Sequence, residues 1–310
     1  RWEGAAYEDV PALKYSNLSA SGLSAEYAYQ HNAGHLSDAV WIDGRDSESI
    51  KASIIKYGAG TMSYYHDDRY FNKSSGAYYY NGNAKINHDV TVVGWDDGYS
   101  RTNFNFHPEN DGAWILKNSW GEDLGDDGYI YISYEDTSIT SEDCYFYEID
   151  DIGNYDNNYQ YDGTFFWNSI IIPSGSSISN VFTSDSDEEL KAVSFATYDA
   201  YTDYTLEIYT GVNFISPTSG TLALSQTGSE QYRGYHTVEL SETVDLPEGT
   251  RYSVVLTLSS DRTENLSIPV DNSGAVSGWI TWTNSVKPGT SFYFIDGNRS
   301  WTDYSVKSQD

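Results

Sequence analysis

The sequence predicts an α+β unit followed by an antiparallel β-sandwich. A single helix-period segment is followed in the first half by short extended runs. A stretch at 150–162 built almost wholly of Asp, Asn, Gly, Tyr and Gln then interrupts all periodicity. Beyond it, apolar and polar residues alternate in many short runs. With 310 residues, the chain is long enough for two domains, each with its own core.

Taken in order, residues up to about Gly34 are rich in Tyr, Ser, Gly and Asn and read as irregular. From Ser47 to Tyr57, Ile50, Ile54 and Ile55 recur at helical spacing, Asp46 or Ser47 can cap the N-terminus, and Gly58 can end the helix. Strands are expected at Thr61 to Tyr65, Asp89 to Trp95, Ala113 to Lys117 and Tyr129 to Tyr134, each bounded by Gly, Asn or Asp. The boundary is placed so that residues 1–149 form the first domain and 150–310 the second. In the second, Ala192 to Tyr198, Tyr204 to Tyr209, Tyr235 to Leu240, Tyr252 to Leu258, Gly278 to Thr283 and Ser291 to Ile295 alternate with period two. That period belongs to sheets with one buried face.

Composition narrows the function. A formal charge of −29 repels phosphate backbones and anionic membrane surfaces, so nucleic acid is excluded as a partner. No run approaches the roughly 20 apolar residues of a membrane span, so no membrane insertion is expected. Nine Trp and 29 Tyr supply the apolar surface that such a charged chain needs in order to fold. One Cys and one Met leave no intrachain disulfide, which fits a secreted protein held together by packing. An opening Arg1 in place of Met predicts that an upstream piece was removed.

The chemistry is carried by Asn87-His88-Asp89-Val90-Thr91-Val92-Val93-Gly94-Trp95 and, further on, Lys117-Asn118-Ser119-Trp120-Gly121. The two segments resemble, residue by residue, the His and Asn motifs of the papain family of cysteine proteases. Gly125-x-x-Gly128-Tyr129 and Lys56-Tyr57-Gly58-Ala59-Gly60-Thr61-Met62 extend the likeness. The resemblance implies that residues 1–149 are mainly the strand-rich right-hand lobe of a papain-like fold. It makes His88 the base that activates a thiol, Asn118 the residue that orients it, and Trp120 the roof over their hydrogen bond. A thiol needs such a base because only the thiolate is a strong nucleophile. By position, Met62 and Ile86 are expected to line the substrate pocket beside Asn87 and Asp89. The charge of Asp89 favours a polar or basic substrate group if it faces the cleft.

The family's nucleophile segment, with its oxyanion-hole Gln, is absent. The sole cysteine, Cys144, follows both motifs among alternating aromatics and reads as a buried, inert strand thiol. A Cys-bearing light chain or upstream lobe is therefore the expected partner, and protein or peptide the expected substrate. The alternative is a catalytically inactive protease relative that acts as a surface or carbohydrate- or protein-binding module; intact His88, Asn118 and Trp120 argue against it.

The second half resembles the lectin-like domain that follows the protease domain in clostridial and other Gram-positive surface cysteine proteases. The likeness is carried by Tyr159-Gln160-Tyr161-Asp162-Gly163, by Asn180-Val181-Phe182-Thr183 and by Gly234-Tyr235-His236-Thr237-Val238-Glu239-Leu240. It implies a location outside the cell, at a Gram-positive surface, with cell-wall polymers as a further possible partner. No metal site is assigned: His66-Asp67-Asp68 cannot converge on one ion and reads as a solvated loop, and the EF-hand-like run from Asp123 has Gly125 and Tyr134 at ligand positions. Acidic loops at Asp150-Asp151 and Asp185 to Glu189 leave calcium open as a cofactor, since they equally suit a solvated surface. The sequons at Asn17, Asn72, Asn265 and Asn298 decide nothing in a chain so rich in Asn and Ser.

Overall fold

The computed structural model describes residues 34–161, 168–270, 274–276, 280–282, 286–297 and 300–305. The predicted irregular opening lies outside these residues, as do Asn17, Asn298, Asp162, Gly163 and the ends of the Gly278 to Thr283 run. Two compact units divide the chain, with Asp38–Asp150 forming one and Asp151–Asp310 the bulk of the other.

In the first unit the order is β1 (His35–Asp43), α1 (Ser47–Tyr57), β2 (Gly60–Tyr64), β3 (Phe71–Asn72), β4 (Ala77–Tyr78), β5 (His88–Asp96), β6 (Ala113–Lys117), β7 (Tyr129–Ser133) and β8 (Asp143–Asp150). Helix α1 forms where its caps predict. The Asp46 carboxylate accepts from Ser49 N at 3.1 Å, and Gly58, at φ 87, donates its N–H to Ile54 O. Ile50 and Ile54 are buried against β5 and β8, whereas Ile55 is 77 % exposed, because one further residue turns it about 100° off the apolar stripe.

The strands run in the order β1-β8-β2-β5-β6-β7-β4-β3; β2 pairs antiparallel with β5 and β8, β6 with β5 and β7, and β3 with β4, whereas β4 and β7 run parallel. Pairing sets Met62 opposite Val90 and Gly60 opposite Val92, so one sheet face gathers Met62, Tyr64, Val90 and Val92 with Leu116, Ile130 and Ile132, all buried. Each such large apolar side chain contributes about 1.5–3 kcal/mol on burial. The register of β5 against β6 shifts between Val92 and Gly94, a bulge that bends β5 beyond its first half.

The second unit holds β9 (Asn168–Pro173), β10 (Ser177–Thr183), β11 (Glu188–Thr197), β12 (Thr202–Thr210), β13 (Thr221–Glu230), β14 (Arg233–Leu246), β15 (Arg251–Ser259), β16 (Asn265–Val270), β17 (Gly274–Val276), β18 (Ile280–Trp282), β19 (Ser291–Phe294) and β20 (Thr302–Asp303). One sheet has the order β13-β12-β15-β10-β19-β20, and β11 pairs β14, β9 pairs β16 and β17 pairs β18, all antiparallel. Its core joins Leu206, Ile208, Tyr252 and Leu256 from the six-stranded sheet to Val193, Val244 and Leu246 from β11 and β14, and to Ile172 and Leu266 from β9 and β16. An antiparallel sandwich is what the period-two runs of this half predict.

Candidate active site

His88 is the first residue of β5 and lies opposite Tyr64, the last residue of β2, whose ring meets the imidazole edge-on at 5.6 Å. Asn118 follows directly on β6, the strand beside β5, and its own N–H is tied to Gly128 O at 2.9 Å. Adjacent strands thus bring together two residues thirty positions apart. The return to β7 needs glycine: Gly125 has φ 71, and a Cβ there would lie 2.0 Å from Tyr129 O. This is the physical content of the Gly-x-x-Gly-Tyr run.

Asn118 Oδ1 lies 2.9 Å from His88 Nε2 and also accepts from Ser119 N at 2.8 Å. The backbone N–H of Ser119 can only donate, so the atom facing both groups is the amide oxygen. His88 Nε2 must then carry its proton, and Nδ1 keeps the lone pair free to take one. Trp120 stacks on the imidazole with centroids 4.2 Å apart and planes 22° from parallel, leaving half of its own surface open. Asn118 is only 8 % exposed, and its Nδ2 makes no hydrogen bond among the described residues. A weakly hydrated His–Asn bond of this kind is stronger than the same bond in water.

The other expected pocket residues divide. Asp89 is exposed, and its Oδ1 accepts from Ser63 Oγ at 2.6 Å across the β2–β5 pair. Ile86 is partly exposed in the segment leading into β5. The Asn87 amide is occupied by the backbone of His66, accepting from its N at 2.7 Å and donating to its O at 3.1 Å, so it fastens the end of β2. Met62 corrects the expectation: it is 1 % exposed in the core, one residue out of phase with the face that carries Asp89. Ser63, not Met62, neighbours Asp89 there.

Cys144 sits buried in β8, and desolvation pushes its thiol up to about 12, which leaves it protonated and unreactive. His66 is a second correction. Its side chain is largely covered, edge-on to Trp120 at 4.6 Å and stacked on Tyr78 at 5.5 Å, not free in solvent. Asp67 pairs with Arg69, and no group of three or more metal-ligating side chains gathers among the described residues.

Known proteins match both units. The papain family cysteine protease profile covers residues 10–149 and the lectin-like domain profile covers 158–310. Testin-2 of Mus musculus is 32 % identical over 117 residues, and procathepsin L of Felis catus 28 % over 119; the chain spans about a third of the length of either. A clostridial cysteine protease, Cwp84, solved after propeptide cleavage, is 28 % identical with a TM-score of 0.80, and the match covers 99 % of this chain and 76 % of that one. A second structure holds the cysteine protease and lectin-like domains of Cwp84, a surface layer associated protein of Clostridium difficile. It matches at 26 % identity and a TM-score of 0.76, covering 99 % of this chain and 68 % of that one. Residues 10–149 thus resemble the papain family of cysteine proteases and residues 158–310 a lectin-like domain, the two domains that the second Cwp84 structure holds.

Proposed function

We propose that this chain supplies the base and its orienting amide to a cysteine-type endopeptidase whose thiol comes from an upstream segment or a separate light chain. The observation that carries the reading is the 2.9 Å bond from His88 to Asn118 beneath Trp120, which leaves His88 Nδ1 as an unoccupied base. Nδ1 takes the thiol proton, and the thiolate adds to the peptide carbonyl. The imidazolium returns the proton to the departing amine, leaving a thioester that water hydrolyses with His88 again as base. Asn118 holds the ring in this tautomer throughout.

Proteins are the substrates in this reading. Asp89, exposed beside His88 and steadied by Ser63, supports a preference for a basic substrate side chain. Likeness to a surface layer associated protease supports a place at the cell surface, where the sandwich acts as a platform or holds wall polymers. Domains 1–149 and 150–310 remain the proposed division of labour.

The test is His88→Ala in the complete enzyme, comprising this chain and the thiol-bearing segment. Peptide hydrolysis and fast alkylation of the catalytic thiol are both expected to vanish while the fold survives. Near wild-type turnover would remove His88 from the mechanism. Denaturing mass spectrometry of natural material is expected to find a smaller, non-covalently held chain or a longer precursor with the second cysteine. Finding Cys144 as the only thiol of an active enzyme would end the proposal.

A further inference from the structure

His66 has no part in the mechanism above, yet its surroundings are built. Its Nε2 lies 3.2 Å from Asp68 Oδ1 and its Nδ1 lies 2.8 Å from Tyr64 Oη. An ionised carboxylate only accepts, so Nε2 carries the proton and Nδ1 accepts from the tyrosine hydroxyl. The neutral ring thereby has both nitrogens satisfied, and burial, the largest influence on it, favours the same neutral form. Its backbone is pinned at N and O by the Asn87 amide, the residue before His88. One ring face rests on Tyr78 at 5.5 Å with planes 21° apart, and the ring meets Trp120 edge-on at 4.6 Å with planes 84° apart.

Trp120 is thus held between two imidazoles: it stacks on His88 and is braced by His66, and the two histidine rings are 6.3 Å apart. The indole is 47 % exposed, and its ring contacts among the described residues are with His66 and His88. We propose that His66 is a positioning residue that sets the Trp120 indole over the His88–Asn118 hydrogen bond. The proposal rests on the endopeptidase reading, since it assigns His66 an effect on the same base. Losing the brace lets the indole rotate away and admits water to the bond, which lowers the fraction of thiolate–imidazolium pair at a given pH.

The experiment uses the complete enzyme, with His66→Ala, His66→Phe, Trp120→Ala and the His66→Ala/Trp120→Ala double variant. His66→Ala is expected to lower kcat about tenfold with KM within about twofold, and to move the acidic limb of thiol alkylation upward by about half a pH unit. His66→Phe keeps an edge-on aromatic ring and is expected to recover most of kcat. In the Trp120→Ala background His66→Ala should cost less than twofold, because the two act through one contact. Equal losses in both backgrounds, or an unmoved pH profile, would overturn the positioning role. If His66→Ala does not fold, His66→Phe set against Trp120→Ala decides: Phe as inactive as Ala would do the same. An enzyme indifferent to His88→Ala refutes the endopeptidase reading instead, so the two failures are distinguishable.

Discussion

Replacing Asn118 with Ala removes one acceptor from two donors, His88 Nε2 and Ser119 N, and the side chain makes no other hydrogen bond among the described residues. The backbone bond from Asn118 N to Gly128 O remains available to alanine. The substitution also deletes Nδ2, a buried donor with no partner among the described residues, so stability is expected to stay within about 1 kcal/mol of wild type. Catalysis is different, because in the proposed mechanism His88 becomes an imidazolium during turnover. A hydrogen bond to a charged group is worth about 1.5–3 kcal/mol. At 1.36 kcal/mol per factor of ten, the loss in kcat/KM is about 10- to 150-fold. It should appear in kcat, since Asn118 is buried and acts through His88. Hydrolysis of a fluorogenic peptide by the complete enzyme measures it, with circular dichroism confirming the fold. A loss below about threefold, in an enzyme that still requires His88, would refute the orienting role.

Native Cys144 is expected to resist iodoacetamide at pH 8 by intact mass, and Cys144→Ala should keep full turnover while losing about 1 kcal/mol of stability. Stability has a pH component at His66. Its pKa in the fold lies below the unfolded value near 6.5, so the unfolded chain binds more protons as pH falls. The contribution is complete above about 6.5 and is lost progressively below it. His66→Phe should flatten this acid-side slope in urea unfolding at pH 7.5, 6.5 and 5.5, and parallel slopes would contradict the burial argument. Asp89→Asn should reduce kcat/KM for peptides with a basic side chain two residues before the scissile bond. The reduction is about three- to fivefold, the scale of an exposed ion pair, and neutral peptides should be unaffected; equal effects on both would remove Asp89 from recognition.

What the sequence discloses is local. Helix α1 is legible because Asp46 and Gly58 mark its ends chemically, and the pairing of His88 with Asn118 is legible because both motifs include the strands and glycines that bring them together. The failures are questions of phase and of distant neighbours. Thr61-Met62-Ser63-Tyr64 alternates correctly for a strand, but assigning Met62 to the cleft puts it on the wrong face by one residue. His66 looks solvated beside two aspartates, and only Tyr78 and Trp120, far along the chain, cover it. Strand β1 was within reach, since Ala39, Val40 and Ile42 are buried in a run that reads His35-Leu-Ser-Asp-Ala-Val-Trp-Ile-Asp. Strand β13 was not, because Leu224 is its only buried residue.

The strand order also separates what is near in sequence from what is remote. β5, β6 and β7 form a meander closed by connections of modest length, and it carries both His88 and Asn118. β2 reaches its outer neighbour only through Gly60 with Phe146 and Thr61 with Tyr145, a contact that must close most of the unit into one loop. Loop-closure entropy grows with such separations, and non-local pairings set the slow steps of assembly. His88 and Asn118 therefore belong to the part of the sheet that can form without waiting for the pairing of β8. Docking of β8, which covers α1 and β2 with Phe146, completes the unit around the His88–Asn118 pair that the meander brings together.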